Sequence, residues 1–370
     1  LLGKTELTSP YFFVPPSGDT ASRPQSCAPG TIRFNTDIES LEVYRGDTIG
    51  WEQIQRRESQ YLGGGTGSNT GTGARGIFSG GYLNGSNDQS GIDFITIPTL
   101  GNSQDFGDMS DARRGMGGAG SSVRGIFAGG DGSPSNPSNR MGHITIPTLG
   151  DETDFGDLTV GREGNRCLSN STRHVNVAGY AAPANSDVID YVSIQGLGNA
   201  IDFGDTTKAR SAAGCFASST RGLISIGENT GNTNSIEYIT IASTGNAVDF
   251  GDYNNGYITS PSSGGSNATR GFIIGGHSPS PTPSKVDHIS FLTTTTLGNA
   301  LDFGNLTVAR SAAAAVSSPT RVVNGGGAAP QSIDPIDYFE IATTGNALDF
   351  GDLSYARFSH GSTSNAHGGL

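Results

Sequence analysis

Residues 236–241, Ile-Glu-Tyr-Ile-Thr-Ile, alternate apolar and polar positions with a period of about two, the pattern of a strand with one face on a core. Ahead of them Arg221-Gly-Leu-Ile-Ser-Ile-Gly227 is an apolar run that ends in glycine, and residues 228–234 form a polar turn between the two. Residues 210–216, Arg-Ser-Ala-Ala-Gly-Cys-Phe, predict a small-residue strand. After the turn signal Thr244-Gly-Asn246, residues 247–250 predict a last short strand. The unit reads as four strands, and no useful length of it has helical periodicity.

The unit recurs. Six segments end in a shared phrase that begins at Asp105, Asp154, Asp202, Asp249, Asp302 and Asp349, and reads Asp-Phe-Gly-Asp in all but the fifth, which ends in Asn305. The steps between these positions are 49, 48, 47, 53 and 47 residues, close to the span of about 40–50 residues taken by one propeller blade. The second strand returns as Gly76-Ile-Phe-Ser-Gly-Gly81 and Gly125-Ile-Phe-Ala-Gly-Gly130, the third as Ile92-Asp-Phe-Ile-Thr-Ile97 and Ile189-Asp-Tyr-Val-Ser-Ile194. Glycine at the end of the second strand permits positive φ in a tight turn. An all-β, six-bladed β-propeller is therefore predicted over residues 74–370. The unit that starts at Ala74 has no first strand of its own, whereas the tail from Arg357 resembles one. The last strand is expected to join the first sheet and so leave no open edge.

Composition agrees with many short strands and Gly-rich turns: 57 of 370 residues are glycine and 34% are hydrophobic. The formal net charge of −12 argues against a nucleic-acid partner, which would require a basic surface. Cys27, Cys167 and Cys215 form no CxxC and no metal-ligand spacing. No apolar run approaches the roughly 20 residues of a membrane span, and no membrane insertion is expected.

An arginine before a small-residue strand, a second strand ending in Gly-Gly, and aromatics on the third and fourth strands resemble the kelch repeat over residues 74–370. The resemblance has departures. Phenylalanine of the shared phrase stands where kelch has tryptophan, residues 177–179 read Val-Ala-Gly, and the fourth unit has the single Gly227.

Phe106, Phe155, Phe203, Phe250, Phe303 and Phe350 are expected to pack between neighbouring blades. The acids around them are expected to cap turns or to pair with the repeated arginines Arg75, Arg124, Arg173, Arg221, Arg270 and Arg321. Their spacing matches no calcium cage such as an EF-hand loop, and neither a metal nor a cofactor is expected. His143 and His288 are taken to stand where other units carry Tyr or Phe. No nucleophile–base arrangement emerges, and polar residues repeated in every unit indicate a scaffold rather than an enzyme. The joins between second and third strands vary in length, at residues 130–139, 181–186, 277–284 and 328–335. Variable loops on one face are where binding is expected, with Asp131, Asn136, Asn185, His277 and Gln331 as candidates.

Residues 1–62 lack the repeat, and residues 63–73 read as a Gly-rich linker. Residues 31–35, 40–44 and 50–54 predict a three-stranded meander with Trp51 at a small core. The run Ser17-Gly-Asp-Thr-Ala-Ser-Arg-Pro24, then Pro29-Gly-Thr-Ile-Arg-Phe-Asn-Thr36 and Gly50-Trp51, resembles a β-module of tail-fibre and other virion proteins of tailed bacteriophages. The phrase Gly-Asn-Ala-x-Asp-Phe-Gly-Asp is similar to repeats in virion proteins of marine cyanophage type. These resemblances imply a structural component of the virion, oligomeric in its assembly, whose residues 1–62 contact other virion proteins and whose propeller meets protein or host-surface glycans. The alternative is a lectin-like propeller that binds glycans through its variable loops.

Overall fold

A computed structural model describes residues 15–24, 27–37, 40–48, 50–53, 74–84, 88–132, 136–228, 234–253, 262–278 and 284–370. The linker expected at 63–73 lies outside them. The chain divides into two units, Leu1–Ser59 and Gln60–Leu370.

The first unit holds a four-stranded sheet in the order Ser17–Gly18, Ile32–Asn35, Ser40–Tyr44 and Trp51–Gln53. The meander gains a fourth strand, Ser17–Gly18, which runs parallel to Ile32–Asn35. Its buried centre is polar. The Glu42 carboxylate pairs with Arg23 and accepts from Asn35 Nδ2 at 2.9 Å, and these contacts hold its pKa below the ordinary carboxylate value. Trp51 is only half-buried and packs against Tyr44, with ring centroids 5.4 Å apart. It borders this network rather than anchoring an apolar core.

The second unit is all-β, with no helix among the described residues and a series of four-stranded antiparallel sheets compatible with a β-propeller-like class. Sheet A comprises Gly361–Ser364, Arg75–Ser79, Gly91–Thr96 and Gln104–Asp108. Sheet B comprises Gly117–Gly120, Arg124–Ala128, Arg140–Thr145 and Thr153–Asp157. Sheet C comprises Arg166–Ser169, Arg173–Ala181, Ala184–Ser193 and Ile201–Asp205, and sheet D Cys215–Ala217, Arg221–Ile224, Ser235–Thr240 and Val248–Asp252. Sheet E comprises Ser263–Ser266, Arg270–Ser278, Ser284–Thr293 and Leu301–Asn305, and sheet F Ala314–Ser317, Arg321–Gly325, Pro335–Glu340 and Leu348–Asp352. In sheet A the strand from the far end of the sequence pairs with the near one, Thr363 opposite Ile77. Of residues 210–214, expected in a strand, only Ser211 is bridged, to Glu228, and the strand itself is Cys215–Ala217.

The shared phrase is a clasp between sheets. In sheet C, Ile189 pairs with Gly204 and Asp190 with Asp202, so Phe203 sits in a bulge. Its ring is buried among Val175 and Ile189 of its own sheet and Ile224 and Ile239 of sheet D. Such burial contributes about 1.5–3 kcal/mol. Gly245 N–H of sheet D donates to the Phe203 carbonyl at 2.7 Å, and Asp205 N–H donates to Asn246 Oδ1 at 3.1 Å. Gly204 (φ 144°) allows this approach, because a Cβ there would lie 2.6 Å from the Gly245 carbonyl oxygen. The same clasp joins sheet F to sheet A: Gly101 N–H donates to Phe350 O at 2.9 Å and Asp352 N–H to Asn102 Oδ1 at 3.1 Å. Phe350 packs with Phe78 and Ile95 of sheet A.

The first strands of the six sheets lie side by side in sequence order, and Gly361–Ser364 of sheet A neighbours Gly117–Gly120 of sheet B. Serines tie adjacent members together: Ser169 Oγ donates to Gly120 O, Ser266 Oγ to Ala217 O and Ser364 Oγ to Ser317 O, each at 2.7 Å.

Candidate functional site

Two sets of arginines organise the second unit. The repeated arginines that open the second strands do not seek the carboxylates of the shared phrase. Each reaches a backbone carbonyl just past the third strand of the next sheet in the series, counting sheet A as following sheet F. Arg124 Nη1 donates to Ile194 O at 2.6 Å, Arg173 to Ile241 O at 2.9 Å, Arg270 to Ile341 O at 2.7 Å and Arg321 to Ile97 O at 3.0 Å. Arg75 meets Ile146 O at 2.9 Å, and Arg221 meets Thr295 O at 2.9 Å. The guanidiniums also lie over aromatic rings, such as Arg173 over Tyr191 at 4.6 Å and Arg321 over Tyr338 at 4.4 Å. A guanidinium offers several donors in one plane, and carbonyls at a sheet end present the matching acceptors. The pairing with flanking acids expected from the sequence gives way to this arrangement.

The second set is fully buried. Arg113, Arg162, Arg210, Arg310 and Arg357 are paired respectively with Glu152, Asp190, Glu237, Asp337 and Asp93. Each carboxylate also accepts from a Thr or Ser just past a fourth strand. Thr159 N–H and Oγ1 meet Asp190 at 3.1 and 2.6 Å, and Ser354 N–H and Oγ meet Asp93 at 3.1 and 2.6 Å. A buried ion pair stands only when its remaining lone pairs are satisfied in this way. In sheets A, C, D and F the acid stands on the third strand. In sheet B that position is Gly142, and Glu152 folds into the space a side chain there would take. In sheet E the position is Ser290, opposite Asp302 as Asp190 is opposite Asp202, and residues 253–262 contain no Arg or Lys. The acid and the base are lost together there, as the cost of a lone buried charge requires.

The candidate loop residues do not form one site. Asp131 lies in a short strand, Asp131–Gly132, that pairs with Arg113–Arg114; it is buried and 2.5 Å from the Arg114 guanidinium. Asn185 is on a strand, past a two-residue hairpin at 182–183, and donates to Glu228 O of sheet D at 2.9 Å. His277 is likewise on a strand, opposite Lys285. Only Asn136 and Gln331 are exposed and outside strands. The strands continue further than the polar composition of these segments suggested, because hairpin pairing satisfies the backbone. Neighbouring joins do touch: Lys285 Nζ meets Pro330 O at 3.3 Å, and Asn84 N–H meets Ser332 Oγ at 3.3 Å.

His143 packs edge-on against Phe155 at 5.7 Å, as expected. His288 does not hold an aromatic position. It pairs with Asn305 as Val188 pairs with Asp205, so Phe291 is the counterpart of Tyr191.

Sheet C departs from the repeat in its first two strands. Its first strand opens with Arg166, where the other sheets have Gly117, Cys215 preceded by Gly214, Ser263, Ala314 and Gly361. Cys167 Sγ donates to Asn176 Oδ1 at 3.2 Å, and His174 Nε2 is 2.9 Å from the same oxygen. Burial pushes the Cys167 thiol well above its ordinary value, raises Cys215 to about 12 and lowers His174 to about 4. Thiols held protonated and an imidazole held neutral are poor nucleophiles and bases at neutral pH. Arg166, Cys167, Cys215 and His360 line a cavity of about 60 Å³ between the first strands. A second cavity of about 50 Å³ lies further along, where His367 Nε2 meets Gly120 O at 2.8 Å. Among the described residues no group of His, Cys, Asp and Glu is arranged to hold a metal ion. No protein-family model matches the chain, and no curated protein matches it.

Proposed function

We propose that residues 74–370 form a closed, six-bladed, kelch-like β-propeller, and that the protein is a non-enzymatic structural component of a phage virion, in a tail fibre or another appendage. Each sheet is one blade, and sheet A is shared between the two ends of the repeat region. The observation that carries the architecture is the clasp from Gly101 and Asn102 to Phe350 and Asp352, which repeats between sheets F and A the bonds that join C to D. The virion assignment rests on the resemblance of the repeat phrase and of residues 17–51 to phage virion proteins. The investment of the repeated charges in sheet-to-sheet contacts agrees with a scaffold. In this reading residues 1–62 dock to other virion proteins and the propeller presents a surface to protein or to host glycans.

Mass spectrometry of purified phage particles from a host culture expressing this chain tests the assignment. The polypeptide is expected at stoichiometric abundance in the particles, and its absence from them rejects the virion reading. A glycan array with the purified protein separates a purely structural part, which gives no selective signal, from a glycan-binding one.

A further inference from the structure

We infer that the cavity at the opening of the first strands is a binding site for a small oxyanion, held by the Arg166 guanidinium with His360 as a second donor. The argument starts from charge. Arg166 is the one cation on the first strands of the six sheets, at a position that elsewhere carries Gly, Ala or Ser. Its hydrogen bond goes from Nη1 to the carbonyl of its neighbour Asn165 at 3.0 Å. Unlike the buried Arg162 four residues earlier, paired with Asp190 at 2.6 Å, it makes no ion pair among the described residues. The ionisable groups that act on it are the thiols of Cys215 and Cys167, which are held protonated and uncharged, and burial draws its pKa below the ordinary arginine value. Arg166 is half-buried in the cavity wall, and a guanidinium there without a carboxylate keeps planar donors that can receive two oxygens of one anion.

A second observation points the same way. His360 lines the same cavity, is 3% exposed, and neither of its ring nitrogens has a hydrogen-bond partner in good geometry, the Gly325 backbone being the one polar group that approaches a donor contact with it. Its ring stands edge-on to Phe78 at 5.7 Å, and burial, with Arg357 and Arg166 nearby, keeps it neutral. A neutral imidazole still has one N–H to donate. Buried polar groups without partners are rare enough to require an occupant or a reason. The volume of about 60 Å³ accommodates a group of a few heavy atoms. Sulfate, phosphate or a free carboxylate fits this description, and a sugar or nucleotide does not.

The test is a selenate soak of crystals of the whole chain, read by anomalous diffraction. One anomalous peak is expected within hydrogen-bond distance of the Arg166 guanidinium; no peak in the cavity overturns the proposal without recourse to any variant. Calorimetric titration with inorganic phosphate provides the second arm, with one ion bound per chain. Arg166→Met is expected to weaken it about tenfold or more, the worth of a charge-assisted contact. Arg45→Met, an exposed arginine of the first unit, is expected to leave it unchanged. Equal weakening by both variants, or none by Arg166→Met, marks non-specific attraction and rejects the site.

Discussion

Glu152 Oε1 lies 2.6 Å from Arg113 Nη2, in the place that a third-strand side chain at Gly142 would fill. Both side chains are fully buried, so removing one leaves the other charged and unpaired. Glu152→Ala is expected to destabilise the protein by about 3–5 kcal/mol in urea unfolding. Adding Gly142→Asp should recover a large part of that loss, since sheets A, C and F carry Asp at this register. A double variant no more stable than Glu152→Ala would show that the position is not interchangeable.

The clasp makes a steric prediction. Gly204→Ala places a methyl 2.6 Å from the Gly245 carbonyl at a φ of 144°, and a loss of more than about 2 kcal/mol is expected. Gly196→Ala meets nothing within 4 Å and is expected to be neutral or slightly stabilising in the same thermal melts.

Asn102 and Asn246 make the same hydrogen bond, each at 3.1 Å, one from sheet A to sheet F and one from sheet D to sheet C. Asn102→Ala and Asn246→Ala should each cost about 1 kcal/mol. A much smaller effect at Asn102 would mean that the junction between sheets A and F is weaker than the junction between C and D.

His174 titrates at about 4 in the folded protein against an ordinary 6.5, chiefly because burial disfavours the cation. The unfolded chain therefore binds the extra proton first. Stability is complete above about pH 6.5 and falls as the pH drops towards 4, by on the order of 3 kcal/mol from this residue. His360 and His367, also held low by burial, act in the same direction. Urea midpoints measured across this range should show the fall, and His174→Gln should make it shallower.

Cys167 and Cys215 are buried and held protonated, whereas Cys27 is partly exposed. A thiol reagent is expected to label one cysteine in the native protein and all three after unfolding. Fast native labelling of Cys167 would show that the cavity admits bulky reagents.

The strands and their order were legible because the period-two pattern and the Asp-Phe-Gly-Asp phrase repeat with few interruptions. The phenylalanines were legible for the same reason, although the bulge that turns Phe203 inward was not, since one extra residue leaves no mark on composition. The arginines were misread. A sequence offers Arg124 many acids nearby and says nothing of the carbonyl of Ile194, which lies 70 residues away. The buried pairs were missed for a related reason. Arg113, Arg162, Arg210, Arg310 and Arg357 recur with the repeat, and the period alone could have marked them, but their partner alternates between Asp, Glu and, in sheet B, a residue from a turn. The loop boundaries were misjudged where hairpins continued through polar residues, as at Asn185.

Sheet A draws its inner strand from one side of the repeats and its other three strands from the opposite side. Linear arrays of repeats peel from their outermost members, which have one neighbour each. In the closed ring proposed above no sheet occupies such a position, and melting is then not expected to begin by shedding a terminal repeat. A chain cut once between two sheets would remain held together across sheet A, and heat should disassemble the whole unit in a single transition rather than sheet by sheet.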